Sequence, residues 1–271
     1  MLPGADSGIA RDGKVLVLAY DHGLEHGPVD FDPVPETADP SAVFEYATHD
    51  AVTAIAVQKG IAETYYPSYE DDVSLLLKLN GTSNMWMGEP DSALNCSVDY
   101  AAGLGADAVG FTLYGGSNYE VEMAEEFREV QEAARKNDMG VVMWSYPRGQ
   151  GLKNDTKPGV ISYATRLGLE LGADVSKVKY PGSPDAMADA CEMAGDMKVI
   201  MSGGSKTDDR AFLETVKSSM DAGADGLAVG RNVFQRQNPF EILDALEAII
   251  YEEASVDAAL DRAASRTRAD D

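Results

Sequence analysis

Val199-Ile-Met-Ser-Gly-Gly-Ser-Lys206 and, one helical stretch later, Gly223-Ala-Asp-Gly-Leu-Ala-Val-Gly-Arg-Asn232 decide the fold. Each is a short apolar run that opens into glycine-rich polar chain. Glycines let backbone N–H groups approach an anion closely, a helix N-terminus adds a favourable dipole, and an arginine adds a forked cationic donor. In a (β/α)8 barrel the loops after the seventh and eighth strands hold phosphate in this way. The pair therefore reads as the phosphate-gripping end of a TIM barrel. A lone Gly-Gly says little, since turns use it constantly; two such loops on consecutive strands say more.

Outward from this pair, runs rich in Val, Ile and Ala alternate with longer amphipathic stretches. Strands are expected over 15–20, 54–57, 75–79, 108–113, 141–145, 175–180, 199–202 and 227–229. Near-continuous apolar runs suit parallel strands buried on both faces. Helices are expected over 40–50, 119–136, 160–171, 184–194, 210–222 and 240–253. The second has acids in its first turns and Arg135-Lys136 at its end, as the helix dipole favours. Pro67 leaves 61–72 undecided between helix and loop. Gly-Ala-Asp recurs at 105–107, 172–174 and 223–225, each time just before a strand. There the Gly would end a helix in the left-handed conformation. The reading is one TIM barrel over 1–253, followed by a tail, 254–271, with no large apolar residue after Leu260 and hence a frayed or mobile end.

The 271 residues match one barrel of about 250. No apolar run is long enough to span a membrane, and the first residues lack the basic and apolar segments of a signal peptide. Two cysteines make no disulfide framework, which fits a reduced cytoplasm. Asp and Glu number 46 against 22 Lys and Arg, a net charge of −24 spread over the whole chain. Such a surface would repel nucleic acid and suits a halophilic source, where net charge maintains solubility.

Strand ends carry the chemistry of this architecture. The first ends Asp21-His22-Gly-Leu-Glu-His26-Gly-Pro28. A metal pair, a structural loop and substrate contacts are all readings of His22 and His26; the glycines and proline argue against the helix that would make them a metal pair, and no third ligand is evident. His49 reads as a cap or a surface group. In the fifth, Trp144, Tyr146 and Arg148 alternate with Ser145 and share one face. They are barrel filler with a surface Arg, or a proton-transfer phenol with an anion contact. In the sixth, Lys177 and Lys179 share a face. Outward, they are solvated stems; inward, burial and mutual repulsion would lower both pKa values and make a nucleophilic amine. Lys78 and Asn80, ending the third, are further candidates to face the site.

Together these segments resemble a known family. Asp21-His22-Gly-x-Glu-His26-Gly-Pro, Lys78-Leu-Asn-Gly81, Gly88-Glu-Pro90, Asn95-Cys-Ser-Val98, Trp144-Ser-Tyr146-Pro-Arg148-Gly, Lys177-x-Lys-Tyr-x-Gly182, Met201-Ser-Gly-Gly204 and Val229-Gly-Arg-Asn-Val-x-Gln-Arg236 look like the archaeal-type class I fructose-1,6-bisphosphate aldolases. The likeness spans about residues 12–250 and leaves out the tail. Pro181 and Ser205 depart from the usual Thr and Pro.

The resemblance implies reversible cleavage of fructose 1,6-bisphosphate, a phosphorylated sugar substrate, no metal and no cofactor, and a cytoplasmic homo-oligomer. It maps the Schiff-base lysine onto Lys177 and the acid/base tyrosine onto Tyr146. Substrate contacts map onto Asp21, His22, His26, Trp144, Arg148 and Lys179, and the phosphate grip onto Ser202, Gly203, Gly204, Gly230 and Arg231. Lys179 would then help keep Lys177 neutral. Two rivals share the fold: a 2-amino-3,7-dideoxy-D-threo-hept-6-ulosonate synthase-like transaldolase, and a non-catalytic phosphosugar binder that would need neither Tyr146 nor Lys177.

Overall fold

A computed structural model describes residues 8–85 and 87–270, with side chains described as far as Arg266. All eight expected strands form: β1 Val15–Ala19, β2 Ala54–Gln58, β3 Leu75–Lys78, β4 Ala108–Leu113, β5 Gly140–Ser145, β6 Val175–Val178, β7 Lys198–Ser202 and β8 Gly226–Val229. They close into a barrel in chain order, every neighbouring pair parallel. β6 stops two residues short of the expected run, so Lys179 and Tyr180 leave the ladder at the barrel mouth.

Helices connect the strands. After β1 come the short α1 His22–Glu25 and then α2 Pro40–Ala47; α3 Lys59–Tyr65, α4 Val98–Gly103, α5 Glu120–Lys136, α6 Pro158–Leu171, α7 Pro184–Glu192 and α8 Asp209–Asp221 follow in turn. α9 Arg231–Phe234 and α10 Pro239–Glu252 follow β8. Pro67 resolves the open stretch: α3 ends at Tyr65 and a single 3-10 turn, Tyr66–Ser68, carries the proline. Side-chain oxygens of Asp39, Ser97, Ser183 and Asp208 accept backbone N–H bonds at the starts of α2, α4, α7 and α8.

Alternation sorts the strand residues into two cores. Val15, Val17, Ala54, Ala56, Leu76 and Ala108 fill the barrel interior together with Val142, Val175, Ile200 and Ala228. The intervening residues, such as Leu16, Ile55, Leu77 and Met143, pack against the helices. The interior is thus plugged by apolar layers below, and a side chain two residues further along a strand lies in the next layer up.

The Gly-Ala-Asp echo is structural. Gly105, Gly172 and Gly223 have φ of 78°, 87° and 100°. The aspartates have a second task. Asp107, Asp174 and Asp225 carboxylates accept the N–H of Leu75, Val141 and Val199 at 2.8, 2.8 and 2.9 Å. Each therefore satisfies a backbone amide at or next to the start of the preceding strand. Arg135 of α5 binds both carboxylate oxygens of Asp174, at 2.7 and 2.6 Å.

Two expectations are corrected. Residues expected to be a frayed or mobile tail form α11, Val256–Asp270, which packs on α10 and α8; Asp271 lies outside the described residues. Small residues permit this, since Ala259 is fully buried without needing bulk. Arg262 pairs with Glu247 at 2.8 Å and Arg266 with Asp244 at 3.0 Å. His49 is neither a cap nor a surface group. Its Nδ1 accepts the Ala51 N–H at 3.0 Å, so its Nε2 carries the proton that meets Asp244 at 3.0 Å. It is buried beneath Phe240 and ties α2 to α10.

Candidate active site

In the layer above the apolar plug, the inward positions become polar. Lys78 follows Leu76, Trp144 follows Val142, Lys177 follows Val175 and Ser202 follows Ile200. β5 and β6 pair Trp144 with Lys177 directly. The open question of facing is settled by this register: Lys177 points into the barrel and is 5% exposed. Its Nζ lies 4.7 Å from the Trp144 ring centre and 5.9 Å from that of Tyr146. Ser145, out of phase, faces the helices and meets the Ser176 hydroxyl at 2.8 Å.

Above this layer opens a cavity of about 310 Å³. Asp21, His22, His26, Trp144, Tyr146 and Arg148 line one side; Lys177, Lys179, Ser202, Gly203, Gly204, Gly230 and Arg231 line the rest. The structure thus gathers every residue that the resemblance mapped around one space; Lys78 and Asn80, also candidates from the sequence, do not line it. It adds Ala19, Glu25, Ser205 and Ala228, which were not nominated. Glu25 sits inside the quoted Asp-His-Gly-x-Glu-His motif, so its position was visible in the sequence but its direction was not.

Burial lowers the Lys177 pKa below that of an ordinary amine; Asp21 and Glu25 oppose the shift, and Arg231 adds to it. The expected partner in this effect was Lys179, and that is corrected. Lys179 stands at the mouth, where its ammonium pairs with Asp155 on the loop between β5 and α6. Burial holds the Tyr146 phenol well above the usual range, Asp21 and Glu25 add to this, and Lys78 and the Ser202 hydroxyl oppose it. Tyr146 is therefore protonated at rest.

Beneath the cavity lies a charged cluster. Lys78 has no solvent exposure, and its Nζ lies 3.2 Å from Glu25 and 3.7 Å from Asp21. Burial alone would raise the Asp21 pKa, but Lys78, Lys177 and His22 outweigh it and keep the carboxylate ionised. Asn80 does not reach the cavity. Its amide donates to Ser92 O and Thr112 O at 3.0 and 2.8 Å and accepts Thr112 N–H at 2.7 Å, fastening the β3 loop to β4.

The glycine loops need their missing side chains. A Cβ on Gly230 would stand 2.6 Å from Ala19 O and 2.8 Å from His22 Nε2. Gly204 has φ of 67°. Asn232 holds the two loops together, donating to Gly203 O at 2.8 Å and Ser205 O at 2.9 Å. Buried Arg231 Nε has no protein partner, which leaves a donor for a ligand.

The model of the DeoC/LacD aldolases matches residues 15–236, which is the barrel from β1 to just beyond α9. The chain belongs to the DeoC/LacD aldolase family. Within it, the chain is 73% identical over 262 residues to the class 1 fructose-bisphosphate aldolase of Halobacterium salinarum, covering 97% of this chain and all of that one. It is 46% identical to the Thermoproteus tenax enzyme of the same name, covering 89% and 91%. A 2-amino-3,7-dideoxy-D-threo-hept-6-ulosonate synthase of H. salinarum is 31% identical, covering 94% and 93%. A solved archaeal fructose-1,6-bisphosphate aldolase, its catalytic lysine covalently bound to the carbinolamine intermediate of the substrate, superposes with a TM-score of 0.87 at 45% identity, covering 90% and 96%.

One feature of this aldolase barrel bears on metal chemistry. Asp30 supplies the third donor that the sequence reading missed: among the described residues, donor atoms of His22, His26 and Asp30 lie within 4.8 Å of one another. His26 Nδ1 and Asp30 are 2.6 Å apart, however. That is a hydrogen bond; two donors on one tetrahedral ion, at about 2.0–2.2 Å each, stand well over 3 Å apart. As folded, His26 and Asp30 are thus engaged with each other, while His22 and His26 line the cavity.

Proposed function

We propose that this protein is a class I aldolase that reversibly cleaves fructose 1,6-bisphosphate to dihydroxyacetone phosphate and glyceraldehyde 3-phosphate, with Lys177 as the imine-forming residue. The observation that carries the reading is the buried Lys177 amine, its pKa depressed, facing Tyr146 across a cavity rimmed by the two glycine loops. Identity of 73% to a class 1 fructose-bisphosphate aldolase supports the substrate.

The chemistry follows from the geometry. Gly203, Gly204, Gly230 and Arg231 clamp the C1 phosphate, which sets the C2 carbonyl near Lys177 on the adjacent strand. Such positioning contributes several kcal/mol, up to about 7–11 in well-oriented systems. The neutral amine adds to C2. Tyr146 gives its proton to the departing hydroxyl, water leaves, and a protonated imine and a phenolate remain. The imine accepts the C3–C4 bonding electrons while the phenolate takes the C4 hydroxyl proton, releasing glyceraldehyde 3-phosphate. The re-formed phenol protonates C3 of the enamine, and hydrolysis frees Lys177. Arg148, Lys179, His22 and His26 hold the distal phosphate and hydroxyls.

Borohydride trapping with dihydroxyacetone phosphate, read by peptide mapping, tests the assignment. A stable adduct on Lys177 supports it, and its absence refutes it. Faster turnover of fructose 1,6-bisphosphate than of a deoxy-ketohexose phosphate donor separates it from the synthase reading.

We further propose that the enzyme works as a homo-oligomer in a salt-rich cytoplasm. The net charge of −24 and exposed Met85, Met87, Val121 and Tyr163 support this. Among the described residues no helix is long and apolar enough to cross a membrane. Light scattering in multimolar KCl reads the assembly: a monomer refutes the oligomer.

A further inference from the structure

Lys78 does not line the cavity, yet it is a fully buried amine beneath its floor. An ammonium there costs several kcal/mol unless it is paired. Its partners are the carboxylates that also bear on Lys177: Glu25 at 3.2 Å and Asp21 at 3.7 Å. The Tyr114 hydroxyl donates to the second oxygen of Glu25 at 3.4 Å, so that side chain is held between two groups. The Trp144 indole bridges the two amines, with Lys78 Nζ 4.9 Å and Lys177 Nζ 4.7 Å from its centre. Gly110 leaves room for this layer, since a Cβ there would stand 2.6 Å from Trp144 and 3.2 Å from the Lys78 stem.

The charged and titratable groups around Lys177 are therefore Asp21, His22 and Glu25 from the β1 end, Lys78 from β3, Tyr146 from β5 and Arg231 from α9. Without Lys78, two carboxylates would stand opposite the nucleophile with one cation fewer to hold them. We propose that Lys78 is a positioning residue for the reaction: its ammonium keeps Asp21 and Glu25 turned to itself, so that both remain acceptors for substrate hydroxyls without fixing Lys177 as an ammonium. This rests on the imine reading of Lys177.

The test is the pH dependence of the rate of forming the borohydride-trapped adduct with dihydroxyacetone phosphate. Wild type, Lys78→Met, Glu25→Gln and the double variant are compared. A wild-type protein that traps nothing on Lys177 refutes the imine reading itself. With the adduct present, Lys78→Met moves the acid limb up by about one pH unit, because unopposed carboxylates favour the protonated amine. Glu25→Gln moves it down, and the double variant returns it toward wild type. A rate lowered equally at every pH, with the limb unmoved, would mean that Lys78 only fills space, and the proposal fails. Should Lys78→Met not fold, Glu25→Gln alone decides: an unmoved or raised limb overturns it.

Discussion

Gly110 of β4 and Trp144 of β5 fit together only because the first has no side chain: a Cβ on Gly110 would lie 2.6 Å from a ring carbon of the indole. Trp144 in turn lies beside Lys177, at 4.7 Å. A backbone position that lies outside the cavity lining therefore sets the placement of the proposed nucleophile. Gly110→Ala is expected to lower stability by about 1–3 kcal/mol through overpacking. It also lowers kcat by displacing the ring. Urea midpoints and initial rates check both; an unchanged kcat would separate Trp144 placement from catalysis.

On the proposed mechanism Lys177→Met removes the imine-forming amine, and turnover is expected to vanish in initial-rate assays. Tyr146→Phe keeps the ring and loses the proton. Substrate still binds, while cleavage slows by about 10²–10⁴-fold, the usual weight of general acid–base catalysis. A KM-dominated loss in Tyr146→Phe would assign the hydroxyl to binding.

His22 gives a pH dependence of stability. Burial lowers its pKa from 6.5 to about 4, with His26 and Lys177 adding to the shift and Asp21 opposing it. In the unfolded chain His22 takes up a proton as pH falls below 6.5; in the folded protein it does so only near 4. The stabilisation is complete above the upper value and is lost as pH falls through this window, by up to about 3 kcal/mol. His22→Gln should flatten the decline in urea midpoint across that range. Parallel curves for the two proteins would refute the shift.

Removing residues 254–271 strips α11 from α10 and breaks the Arg262–Glu247 and Arg266–Asp244 pairs. The melting temperature should fall while kcat/KM holds, because α11 packs on α10 and α8 rather than at the cavity. Arg266→Ala should matter less in multimolar KCl than in dilute salt, since the pair is partly exposed and screened. Equal losses at both salt levels would contradict a screened pair.

The eight strands were legible because parallel barrel strands are buried on both faces and read as apolar runs. α11 was not, because its buried stripe, Val256, Ala259, Leu260 and Ala263, is short and mostly small, and arginine pairs complete the docking. At the site, the residue types and their order were legible, since loops must carry glycines and strand ends must carry polar groups. Glu25 went unassigned, and Lys78 was no more than a candidate to face the site, because their significance lies in facing each other across 53 residues of chain.

By itself, then, the sequence determined the barrel and which residue types its strand ends carry, since burial pattern and backbone conformation are written locally. Closure of the sheet decided the rest. It turned Lys177 inward beside Trp144, sent Lys179 to Asp155, and set Asp107, Asp174 and Asp225 against the strand before each. The facing of a side chain depends on which strands become neighbours, and desolvation follows from that closure; no stretch of chain carries either alone.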